Sequence, residues 1–309
     1  LPRETRLRFS YVPPFGGAPQ ALANVVFLKY TILVKLLHKD GWYIELLTLA
    51  GIVSIILGTI GSYWDIAWHL DFGRDRFWSP PHLFIYGSIA LTTIFLLLNL
   101  SVAIANDFPH KRKSLFHLIL FGLGSALIVY LSAPLDELWH RLYGVDIQIL
   151  SLPHVMLIFG GIVGSVAILS ILRYHILHER RRFLVERILL PVFLGSILIG
   201  IMLLLGENEF TTLPPTHPAY GRDPRLYWLL AIVSGASVFL AARRVSGLRY
   251  AATLTFVAYT AVRLVPMAYN AAVGMKSIPI VPPFLPFLLL LALGVDAVFG
   301  VVQRRRAAP

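Results

Sequence analysis

Long apolar runs are the feature that most constrains this chain, because about 18 or more such residues in a row place it in a bilayer. In lipid every backbone N–H and C=O needs a partner inside the protein, and runs of this length meet that need as helices. Eight spans are expected, at 44–69, 80–104, 114–140, 153–177, 186–206, 226–242, 249–270 and 283–302. Segment 21–38 is apolar too, but Lys29, Lys35 and Lys39 break the pattern, so it reads as an amphipathic helix on the membrane surface. Composition agrees: 57% of the 309 residues are hydrophobic and 14% charged, with mean hydropathy +0.73, whereas soluble domains carry about 25% charged residues. The expected fold is all-α, a polytopic transmembrane helical bundle built from repeated helix hairpins. Residues 1–43 form an interfacial N-terminal segment, 44–177 a first four-helix membrane unit and 178–309 a second.

The formal charge of +11 is distributed as topology signals and does not form a nucleic-acid surface. Six Lys/Arg precede residue 43, and further basic clusters lie at 111–113, 173–187, 243–249 and 304–306, together 20 of the 27 basic residues. The loops at 70–79, 141–152, 207–225 and 271–282 hold six, and Arg263 lies within a span. The positive-inside rule then makes both termini cytoplasmic and turns the four sparse loops outward. No signal-peptide pattern precedes the first expected span. The chain has no cysteine, which excludes disulfides, thiolate metal sites, Fe–S clusters and cysteine nucleophiles.

A duplication carries the chemistry. Trp64-Asp65-Ile66-Ala67-Trp68-His69 is followed by Gly73, Asp75, Ser79, Pro81 and His82. Leu135-Asp136-Glu137-Leu138-Trp139-His140 is followed by Gly144, Asp146, Ser151, Pro153 and His154. Asp, Trp, His and Gly recur at an offset of 71, and the closing Ser, Pro and His at 72. The unit is a helix hairpin whose outer loop is bracketed by histidines, and repeats of this kind place sites at their interface. Glu207 and Gly221-Arg222-Asp223 give a weaker third echo, with Thr211 where the histidine should stand.

Asp65 and His69 are four residues apart and share a helix face; a short loop returns His82 to their neighbourhood. Asp136, His140 and His154 repeat the arrangement. One carboxylate with two imidazoles suits divalent transition metals and leaves coordination positions open. Ionisable residues near a membrane interior are costly, so function is the default reading. The rival is a structural histidine network, with Pro81 and Pro153 as helix-starting residues and Ser79 and Ser151 as caps. A bis-histidine haem would want facing histidines without a carboxylate beside each. Copper, iron and zinc all remain open on ligand type.

Among other polar residues, Glu207, Glu209 and His217 read first as solvated loop residues, with vestibule lining or an added ligand as the alternatives. Arg263 is expected to pair with Glu207 or Glu209, since Asp296 sits nearer the cytoplasmic side. Trp64, Trp68, Trp78 and Trp139 read as interfacial belt residues, or as walls of a dry pocket. His110, His117, His175 and His178 belong with the cytoplasmic basic clusters and are expected to be solvated.

Asp65-x3-His69-x12-His82 resembles the first metal motif in the C subunit of particulate methane and ammonia monooxygenases. Asp136-x3-His140-x13-His154 is similar to the second, including its extra intervening residue, although that family has Asn where this chain has Asp136. Arg74-Asp75, Ser79-Pro80 and Pro81-His82 also match the family's context. The resemblance covers roughly residues 43–175 and leaves the last four spans without a counterpart. It implies copper at one or both sites and oxygen-dependent hydroxylation of a small apolar substrate. It further implies partner membrane subunits, one of them bearing cupredoxin domains, in a bacterial or archaeal cell membrane with the metal sites toward the outer side. Two other functions are consistent with the residues: a non-catalytic copper-binding or accessory subunit, and a non-haem iron membrane oxidase. Transport fits less well, because few polar residues continue toward the cytoplasmic side.

Overall fold

The computed structural model describes residues 42–73, 76–144, 150–178, 184–210 and 224–307. The surface helix expected at 21–38 lies outside these residues, as do Thr211, His217 and Gly221-Arg222-Asp223. The helices are α1 (Trp42–Phe72), α2 (Pro80–Ala105), a short α3 (Phe108–Lys111), α4 (Lys113–Tyr143) and α5 (Leu152–His178). They continue with α6 (Leu184–Leu203), a 3-10 turn (Gly206–Glu209), α7 (Pro224–Ser246), α8 (Ala251–Ala272) and α9 (Leu285–Ala307). The only extended pairing among the described residues is a single bridge between Phe210 and Pro279.

Among the described residues seven helices are long and apolar enough to cross a membrane, which makes this an integral membrane protein. The sequence suggested eight. The difference is α6, whose described apolar stretch runs only over Leu189–Leu203. This helix is interior to the bundle, packed on α1, α5, α7 and α8, with Leu190, Phe193 and Leu198 fully buried. A helix that is apolar all round belongs in such a place.

α1 and α2 form one closely packed hairpin, and α4 and α5 another. The hairpins meet through α2 against α4 and α1 against α5, and α8 closes over α1 from the C-terminal half. Hydroxyls along these helices turn back on their own backbone: Thr48 donates to Ile44 O at 2.7 Å, Thr59 to Ile55 O at 2.6 Å and Ser125 to Gly122 O at 2.6 Å. Such bonds dispose of a polar hydrogen in a place without water.

Buried charges follow the same logic. Asp296 of α9 accepts from Ala252 N (3.2 Å), Thr253 N (2.9 Å) and Thr253 Oγ1 (2.7 Å), so a neighbouring helix caps the start of α8. Arg243 Nε stands 3.5 Å from the same carboxylate. Glu209 is fully buried and accepts from Arg263 Nε at 2.5 Å, from Arg263 Nη2 and from the Tyr227 hydroxyl. Of the two partners expected for Arg263, the structure selects Glu209. Both guanidinium N–H groups fall on Glu209 Oε2 and the tyrosine hydroxyl on Oε1, so charge-assisted hydrogen bonds on both oxygens work against the desolvation of the pair.

Helix approach in the first hairpin depends on Gly61. A Cβ there would stand 2.8 Å from Ile85 Cγ1 and 3.0 Å from the Ile85 backbone nitrogen, whereas a Cβ on Gly87 would meet nothing within 4 Å. Overpacking of this kind costs about 1–3 kcal/mol. Gly61→Ala is therefore expected to lower the thermal midpoint of the purified protein, and Gly87→Ala to leave it unchanged or raise it slightly; equal effects would contradict the assigned packing.

Candidate metal centre

The last two turns of α1 carry Asp65 and His69, and the first turn of α2 carries His82. The loop between them starts at Gly73, whose φ of +80° is costly for other residues and whose N–H bonds His69 O at 3.1 Å. The second hairpin closes the same way: Gly144 has φ +84° and its N–H bonds His140 O at 3.1 Å. Asp136 and His140 end α4, and His154 opens α5. Helix starts differ slightly from expectation, since α2 begins at Pro80 and α5 at Leu152, which makes Pro81 and Pro153 second residues.

Both sets close around their carboxylates. His82 Nε2 lies 3.3 Å from Asp65 Oδ1, and His69 Nε2 lies 3.9 Å from Asp65 Oδ2. In the second set His154 Nε2 lies 3.3 Å from Asp136 Oδ1, and His140 Nε2 lies 3.4 Å from Asp136 Oδ2. All six side chains are at most 15% exposed. Sequence spacing pointed to two neighbouring sites; the structure brings both sets into one cluster. The His69 and His140 rings are 6.1 Å apart, and those of His140 and His154 6.5 Å. Asp65, His82, Asp136 and His154 together line one small cavity of about 30 Å³, room for an ion or a water molecule.

The imidazoles are oriented from behind. His82 Nδ1 stands 3.3 Å from Phe77 O, and His140 Nδ1 stands 3.2 Å from Gly144 O. A carbonyl only accepts, so each Nδ1 carries the proton. In the neutral ring Nε2 then has a lone pair, and that lone pair faces a carboxylate oxygen. Two acceptors facing each other 3.3–3.4 Å apart require something positive between them, either a second ring proton or a cation. Histidines bound to metals are held in this manner, the remote N–H donating to a backbone carbonyl. His154 Nδ1 is 3.0 Å from Ser151 Oγ, so Ser151 serves a ring where a helix cap was expected. Ser79 likewise makes no side-chain cap bond.

The donor chemistry fits a divalent metal. Two ligands each about 2.0–2.1 Å from a tetrahedral ion lie about 3.3–3.4 Å from each other, which three of the four His–Asp separations match and His69–Asp65 exceeds. Convergence is incomplete: among the described residues no three His, Asp or Glu donors form a ready-made metal cage. In each set the carboxylate stands between its imidazoles, one on each oxygen, where a mononuclear cage would turn all three toward one point.

A second cavity adjoins the cluster. It has a volume of about 170 Å³, lies between the two hairpins and α6, and shares Ile85 and Leu157 with the small cavity. Ser54 and Ser88 on its wall donate to backbone carbonyls at 2.7 and 2.8 Å, and Thr92 donates to Ser54 Oγ at 2.7 Å. With those hydrogens committed, the wall is largely apolar. On the same wall Phe193 and Ile168 pack close to Gly51, and Leu96 packs close to Gly122.

Other expectations divide. Trp64 is buried and packs edge-on against Phe84 (5.4 Å) and Tyr269 (5.1 Å), as a pocket wall would, while Trp78 is 70% exposed as a belt residue would be. His175 was expected in solvent but is buried, because it faces the interior at the end of α5. His110 is exposed and pairs with Asp107 at 2.7 Å. Glu207 is buried in the 3-10 turn beside Glu209, not solvated as a loop residue. Comparison with known protein families, curated proteins and solved structures finds no match to this chain.

Proposed function

We propose that this chain is a copper-binding integral membrane subunit, related to the C subunit of copper membrane monooxygenases, that supports oxygen-dependent hydroxylation of a small apolar substrate. The observation that carries the metal reading is the facing of His82 Nε2 and His140 Nε2 toward Asp65 and Asp136 while both Nδ1 atoms are taken by backbone carbonyls. A cation satisfies those acceptors with all groups in their ordinary ionisation states. Asp65, His69 and His82 hold one ion, and Asp136, His140 and His154 the other. The sharing of one cavity by both carboxylates makes the two ions close neighbours.

Bound copper supplies the dioxygen chemistry; the chain supplies ligation, orientation and exclusion of water. The 170 Å³ cavity is comparable to apolar cavities of about 150 Å³ that stay dry and accept benzene-sized guests. It abuts the cluster through Ile85 and Leu157, and its largely apolar wall favours a binding pocket over a transport path. This adjoining pocket is also what favours a catalytic role over a purely accessory one. In the same reading α6 is the eighth span, both termini are cytoplasmic and the cluster faces the outer side of a bacterial or archaeal cell membrane. The 20-to-six distribution of basic residues supports that orientation. The two hairpins descend from one duplicated unit. Partner membrane subunits, one with cupredoxin domains, complete the assembly.

Elemental analysis of protein purified from native membranes without chelator tests the reading. About two copper ions per chain are expected, one of them lost in His69→Ala and one in His140→Ala, with occupancy falling on acidification as protons compete for the same donors. Iron in that pattern would move the chain to the non-haem oxidases. No metal above background would contradict the proposal and leave an imidazolium–carboxylate network holding the hairpins together.

A further inference from the structure

The two sets of ligands differ in how they are braced. Tyr63, two residues before Asp65, is fully buried, and the Arg263 guanidinium lies over its ring at 4.1 Å. Asn270 Nδ2 donates to Tyr63 O at 3.4 Å, and Trp64 packs on Tyr269. Two residues beyond His69, Asp71 accepts from Lys276 N at 2.6 Å, Ser277 N at 3.1 Å and Ser277 Oγ at 2.6 Å. Arg263 is in turn fixed by Glu209 and donates to Ile280 O at 3.2 Å, while Ile280 N donates to Glu209 O at 2.7 Å. The stretch of α1 that carries Asp65 and His69 is therefore held on both sides by α8 and by the loop between α8 and α9. None of these bonds reaches α4, where Asp136 and His140 lie.

We infer that the C-terminal half of the chain is a positioning device for one ligand set, acting through Arg263 and Asp71 as positioning residues for Asp65 and His69. The inference rests on the metal reading above. It makes the pair of sites unequal: the α1 set is preorganised by α8 and the loop after it, and these bonds do not extend to the α4 set. A rigid set gains affinity because less ordering remains to be done on binding, and outer partners of metal ligands typically contribute about 10–100-fold in affinity. This gives residues beyond 178 a part in the site although they contribute no ligand to it. Arg263 is suited to the task because its planar guanidinium can bond Glu209 with its edge while its face covers Tyr63.

The test uses Asp71→Ala, since Asp71 is only partly buried and its loss should leave the bundle folded. Arg263→Lys is the second variant, retaining the charge without the planar fork. Full-length protein in lipid nanodiscs is titrated with copper in two backgrounds. His140→Ala leaves the α1 set intact; His69→Ala leaves the α4 set intact. Asp71→Ala is expected to weaken copper binding about tenfold or more in the first background and by less than about twofold in the second. Hydrogen exchange on metal-free protein should rise across residues 63–72 and stay unchanged across 134–143. Equal losses in both backgrounds, or unchanged exchange at 63–72, would overturn the positioning role. Parent protein that takes up no copper would remove the metal reading and this role together, and so separates the two failures.

Discussion

A carboxylate inside a membrane-crossing bundle is tolerated only when something nearby offsets its desolvation, since bulk water is absent and an uncompensated charge there costs several kcal/mol. Four acids among the described residues, Glu209, Asp296, Asp65 and Asp136, meet that condition in three ways. Glu209 uses a guanidinium fork and a tyrosine hydroxyl. Asp296 uses the start of a neighbouring helix together with Arg243. Asp65 and Asp136 each stand between two imidazoles. In the first two arrangements the opposite charge is a guanidinium within the bundle. The third places two carboxylates and four rings in one cluster with several ring nitrogens facing oxygen, and that difference is why the metal reading is proposed for the Asp–His cluster.

The layout follows from how the hairpins close. The first helix of each hairpin ends in a positive-φ glycine after its histidine, Gly73 and Gly144, so each hairpin reverses at the same point relative to its carboxylate. Packing α2 on α4 and α1 on α5 then presses the two reversals together. One cluster forms at that end, and the cavity opens between the hairpins below it, where small residues hold the helices at close quarters. The C-terminal helices add bracing to α1 through Glu209, Arg263 and Asp71, which sets the two ligand groups apart mechanically.

Much of this was legible in the sequence. Apolar run lengths marked every long helix among the described residues, and the Asp-x3-His spacing with a returning histidine brought each carboxylate near its two imidazoles, because helix periodicity and a short loop leave little freedom. Arg263 announced a buried partner, and its depth narrowed the choice to two acids. What the sequence could not convey depended on packing between elements distant along the chain. The convergence of two triads into one cluster requires the angle between hairpins. Gly61, Gly122 and Gly160 shape the interface only through the residues they face, Ile85, Leu96 and Val129. The burial of His175 and Glu207, the interior place of α6 and the attachment of Asp71 to Ser277 across 206 residues likewise depend on tertiary contacts. Ser151 differs for a smaller reason: a serine before a helix is usually a cap, and here its hydroxyl engages the adjacent His154 ring.

The central claim is that a metal ion lies among these imidazoles and carboxylates. The most direct test is pulsed electron paramagnetic resonance on full-length protein loaded with Cu(II) in lipid nanodiscs, reading the modulation from remote imidazole nitrogens. The account predicts modulation from histidine rings that weakens in His82→Ala and again in His154→Ala, with the hyperfine pattern of a nitrogen–oxygen donor set. A Cu(II) signal without imidazole modulation, or one that neither substitution alters, would contradict it and leave the cluster as a structural contact between two helix hairpins.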